Sequence, residues 1–109
     1  MNNVGPQTSP DAGRQRPDLN IGTLDDTLAG IEFIVPFETT VTEMAKKSGL
    51  TVAKNTPYSG GGYITRKYGK PEQGYHAIQL EVKKGSCNTK QKRKIIQQII
   101  DQALSELPF

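Results

Sequence analysis

The chain has 109 residues, room for one small domain with a single core, and 34% of them are hydrophobic. Its net charge of +3 is local: Lys83, Lys84, Lys90, Lys92, Arg93 and Lys94 cluster late in the chain. Such a run is most simply a solvated helix face, and nucleic acid is not expected, because no aromatic residue is interleaved there for base stacking. The single cysteine, Cys87, excludes an intrachain disulfide and points to a cytoplasmic protein, while no apolar stretch approaches the roughly 18 residues of a membrane helix or follows Met1 as a signal peptide would.

In chain order, Met1 to Pro17 is rich in Pro and Gly and poor in apolar groups, which predicts a loop or disordered arm at 1–17, followed by a domain at 18–109. Leu19-Asn20-Ile21 reads as a short strand ended by Gly22 and the acidic turn Asp25-Asp26. Between Ile31 and Ser48, Phe33, Phe37, Val41, Met44 and Ala45 recur at helical spacing, with Gly49 placed as a left-handed cap. Pro36 fits only the first turn, so the helix is expected to start near Val35 or to kink there. Leu50 to Ala53 is β-branched-rich and reads as a second strand. Asn55 to Gly62, with Pro57 and three consecutive glycines, is a loop, and no Lys-Ser or Lys-Thr follows it in the manner of a phosphate-binding loop.

Tyr75 to Val82 alternates. His76, Ile78, Leu80 and Val82 form the core face, with Tyr75, Ala77, Gln79 and Glu81 on the other. A stripe of Ile95, Ile96, Ile99, Ile100, Ala103, Leu104 and Leu107 predicts a C-terminal helix, with Asn88 and Gln91 as a capping pair. Helices alternating with short strands imply an α/β fold with a layered, mixed sheet.

Three residues stand out as chemistry. Glu81 shares its strand face with Gln79 and the small Ala77, which leaves room for a ligand beside a carboxylate suited to taking a proton from water; the plainer reading is a strand-end glutamate paired with Lys83. Arg66 follows the glycine loop on what reads as a short strand, and its planar fork would clamp a substrate carboxylate, though a surface role suits it equally. Tyr63, with Tyr58 and Tyr68, marks a polar-tipped pocket or an ordinary sheet edge. His76, the only histidine, is expected to be a satisfied, half-buried imidazole. One His and one Cys at no ligand spacing cannot build a zinc site, which takes about three protein ligands.

The run from Gln15-Arg16-Pro17-Asp18 through Asn55-Thr56-Pro57-Tyr58-Ser59-Gly60 and Tyr63-Ile64-Thr65-Arg66 to Gly74-Tyr75-His76-Ala77-Ile78-Gln79-Leu80-Glu81 resembles the C-terminal half of the N-formylglutamate amidohydrolases, zinc hydrolases related in fold to the metallocarboxypeptidases. The resemblance implies a partial carboxypeptidase-like domain that cleaves N-formyl-L-glutamate or a related N-acyl acidic amino acid, a step of histidine degradation. It implies Glu81 as general base, with Tyr63 and Arg66 lining the substrate pocket. Zinc is implied as cofactor, but the family's ligands lie N-terminal to the matched run, in a motif ending near where Met1 falls. A truncated reading frame is therefore expected, needing a complementary N-terminal half or self-association; the alternative is a non-catalytic remnant or protein-interaction module. Lys67, the extra glycine before Tyr63 and the run Lys83 to Asn88 depart from the family pattern.

Overall fold

A computed structural model describes residues 16–56 and 59–109, without the side chains of 63 and 64. The expected arm therefore falls almost wholly outside the described residues, as does Tyr58.

Three strands, β1 (Leu19–Gly22), β2 (Val52–Lys54) and β3 (Gln79–Val82), form one mixed sheet in the order β2-β1-β3. Helix α1 (Ile31–Lys47) carries the chain from β1 to β2, which are parallel with Leu19 opposite Val52. A parallel pair needs such a crossover. β3 returns antiparallel on the other side of β1, with Asn20 opposite Glu81 and Gly22 opposite Gln79. All four β1 residues are buried, as a central strand requires. Helices α2 (Tyr63–Tyr68) and α3 (Lys90–Ser105) complete the elements, and no described helix is long and apolar enough to cross a membrane.

The core lies on one face of the sheet. Leu19 and Ile21 of β1 meet Phe37, Val41 and Ala45 of α1 and Ile96, Ile99 and Ala103 of α3, with Leu80 and Val82 packed against them. Alternation thus sends Asn20, Gly22, Gln79 and Glu81 to the opposite face.

Four expectations about the elements change. α1 starts at Ile31, so Pro36 is its sixth residue and not part of its first turn. Burial of Ile34 in register with Phe37 and Val41 holds the helix across the proline, and tertiary packing here outweighs local preference. Gly49 is the left-handed cap expected, with φ 74° and its N–H donating to Lys46 O. Leu50 is tied to that cap through Ala45 O (2.8 Å), which delays β2 until Val52. β3 is shorter than the alternating run, because β1 ends at Gly22 and offers no further partner; Ala77 N–H turns instead to Leu28 O at 2.9 Å. Thr89, not Asn88, caps α3, its hydroxyl accepting from Lys92 N–H at 3.1 Å.

Candidate functional site

The sheet face away from the helices gathers the polar residues. Glu81 is half-buried, and Gln79 Nε2–H donates to its Oε1, so the neighbouring amide on the same face fixes the carboxylate. Lys83 does not pair with it, because the Lys83 ammonium lies 3.3 Å from Asp18 instead. Opposite Glu81 in register stands Asn20, only 2% exposed, with Oδ1 accepting from Thr56 N–H at 3.1 Å. Glu81 and Asn20 open onto a cavity of about 160 Å³ that is also lined by Arg16, Lys83 and Lys84. With Lys83 paired to Asp18, the lining is polar and of mixed charge, a setting for a strongly polar ligand.

The glycine loop closes over the same face. Gly22 and Gly60 touch backbone to backbone: a Cβ on Gly22 would lie 2.5 Å from the Gly60 Cα, and Gly60 has φ 83°, so neither position admits a side chain. Ser59 O accepts from Leu24 N–H at 2.6 Å, which ties the loop to the turn after β1. Thr65 Oγ1 donates to Gly60 O and Gly62 O, fastening α2 to the loop. Arg66 therefore sits on a helix rather than the short strand expected, one turn after Gly62, whose carbonyl accepts its N–H at 3.0 Å. Its side chain is exposed, with Nε beside Gly61. The space above Gly62 opens onto Gln79 Oε1, 3.8 Å from where a Cβ would stand. Gly62 thus approaches Gln79 and, through it, Glu81, while Arg66 follows one turn later and is not among the residues lining the Glu81 cavity; Tyr63 is the first residue of α2.

Two networks hold this surface. Asp18 accepts from Thr51 N–H (2.8 Å), from the Thr51 hydroxyl and from Ser86, besides pairing with Lys83. Burial pushes its carboxyl up, but the bonds from Ser86, Thr51 and Lys83 outweigh this and hold it below the usual carboxylate range. At the other strand ends Asn55, in the left-handed region with φ 55°, receives Thr23 N–H on Oδ1 and donates to Thr23 Oγ1. Asp26 and Glu38 flank Lys54 at 3.0 Å each. A hydrogen bond from Lys54, then one from Thr23, lowers the Asp26 carboxyl.

Sequence reading gave Asn20, Asp18 and Asn55 no role. A polar residue between Leu19 and Ile21 was the available signal for Asn20. His76 is the satisfied imidazole expected, accepting Gly30 N–H on Nδ1 at 2.8 Å and stacked on Phe33. Among the described residues no three His, Cys, Asp or Glu side chains gather as a metal site.

A profile of the N-formylglutamate amidohydrolase family matches residues 1–86. The crystal structure of N-formylglutamate amidohydrolase from Ralstonia eutropha JMP134 superposes with a TM-score of 0.64 at 19% identity, over 86% of this chain and 34% of that one. At that identity the likeness is one of fold, and the chain spans about a third of that protein's length. No curated protein matches.

Proposed function

The chain belongs to the N-formylglutamate amidohydrolase family, and on that premise we propose that its polar sheet face serves the hydrolysis of N-formyl-L-glutamate or a related N-acyl acidic amino acid. The observation that carries this reading is Glu81, fixed by Gln79 on the sheet face that Gly62 of the glycine loop approaches. Glu81 takes a proton from the attacking water as its oxygen bonds to the formyl carbon. The same proton then passes to the leaving nitrogen as the C–N bond breaks, giving formate and free glutamate. Arg66 holds a substrate carboxylate through its planar fork, and Tyr63 lines the pocket. Gln79 keeps the Glu81 oxygen aimed.

Zinc, which the resemblance implies, does not fit the described residues, since no three ligand-type side chains converge there. No step is assigned to it; its ligands would come from outside residues 16–56 and 59–109, from a complementary half or another copy. The carboxypeptidase-like arrangement and a cytoplasmic setting belong to the same proposal. That missing donor set favours one other reading, a non-catalytic interaction module. Formate release from N-formyl-L-glutamate, with zinc content measured in parallel, separates the two: Glu81→Gln is expected to lower turnover by about 100-fold or more. Turnover unchanged by that substitution, or none in the wild type, would discard the catalytic reading.

A further inference from the structure

We propose that Thr65 is a positioning residue for the acidic ligand: its hydroxyl fixes α2 on the glycine loop and so aims the Arg66 guanidinium. The inference rests on the reading above that Arg66 holds a substrate carboxylate.

A helix of six residues does not hold its own shape, because nucleation costs more than so few bonds return. α2 also starts without help from its cap, since Gly62 has no side chain to accept from the first-turn N–H groups. Its later side chains give little anchorage, for Arg66, Lys67 and Tyr68 are all exposed. Two described contacts hold it. Gly69, just past the helix, is buried against Leu28, where a Cβ would meet the Leu28 Cβ at 2.8 Å. Within the helix the half-buried Thr65 reaches back with its hydroxyl to Gly62 O at 3.0 Å and to Gly60 O.

The two acceptors differ in kind. Gly62 O lies three residues back, a bond that threonine commonly makes in helices. Gly60 O lies five back, outside α2, on the residue that touches Gly22 of β1 backbone to backbone. The hydroxyl has one proton, which these carbonyls share. Thr65 is thus a side-chain link in a run from the central strand through Gly60 to α2, and Arg66 is the next residue. The Arg66 N–H makes only the ordinary helical bond to Gly62 O, so the placement of α2 decides where the guanidinium stands. A long, rotamer-rich side chain serves as a clamp only where its backbone is held, and a displacement of about 1 Å is enough to lose a two-bond grip on a carboxylate.

The test is an amide-shift NMR titration of the whole 109-residue chain with N-formyl-L-glutamate that also follows the Arg66 Nε–H signal. Thr65→Val keeps the shape and removes the hydroxyl, whereas Thr65→Ser keeps the hydroxyl. Thr65→Val is expected to bind about tenfold more weakly, the worth of one charge-assisted hydrogen bond, with the Arg66 Nε–H signal unmoved by ligand. Thr65→Ser should bind within about threefold of wild type and move that signal, its hydroxyl being less stiffly held. Amides of α1 and α3 should be unchanged in both variants. Equal affinity of Thr65→Val and a binding wild type would overturn this proposal alone. Equal loss in both variants, or amide changes spread through α1 and α3, would overturn it too by making Thr65 a structural residue. No saturable shift in the wild type would remove the role of Arg66 itself, and this proposal with it.

Discussion

Glu81 shows what a single residue's pattern can carry. Strict alternation from Tyr75 to Val82 placed its side chain on the non-core face, and the structure agrees; its true partner, Gln79, stands two residues away on that same face. Asp18 could not be read this way, because its partners Thr51, Ser86 and Lys83 are distant in sequence and only the sheet brings them together. A carboxyl held below its free value of 3.8 stabilises the fold fully above that pH and loses the contribution as pH falls through the lowered value. Asp18→Asn is therefore expected to cost about 1–2 kcal/mol near neutral pH, the worth of disrupting a half-buried, charged hydrogen-bond network. The gap to wild type should close progressively once the pH drops below 3.8. Urea unfolding across that range reads it, and a gap independent of pH would show that ionisation of Asp18 is not what holds the network.

At the scale of elements, α3 was the most legible, since its apolar stripe needs only helical spacing. Its first residue is not legible, because both Asn88 and Thr89 are competent caps and nothing in the sequence chooses between them. The helix that carries Arg66 is illegible for a different reason: six residues are too few to show a period. The chain folds there because Thr65 hydrogen-bonds back to Gly60 and Gly62. Capping gives the sharper prediction. Thr89→Ala should destabilise the protein by about 1 kcal/mol, whereas Asn88→Ala should change stability by less than about 0.5 kcal/mol. Thermal or urea unfolding of the two variants decides, and the reverse order would place the cap at Asn88.

For the whole molecule, the α/β class with a mixed sheet followed from alternating elements, but the strand order did not. β1 lies between β2 and β3 and is buried along its whole length, with Leu19 and Ile21 in the core and Asn20 and Gly22 against Thr56 and Gly60, while β2 and β3 stay half-buried at the edges. That order is what sets Asn20 beside Glu81 and Gly22 beneath Gly60, and so assembles a polar face from segments up to about sixty residues apart. Helices α1 and α3 cover the opposite face, and the Ralstonia structure shares this fold over 86% of the chain and 34% of its own length. The central claim is that this polar face receives an N-acyl acidic amino acid. An amide-shift titration with N-formyl-L-glutamate tests it without requiring turnover. The account predicts saturable shifts at residues 59–66 and 79–82, lost in Arg66→Ala; shifts confined to other surfaces, or no saturable shift at all, would contradict it.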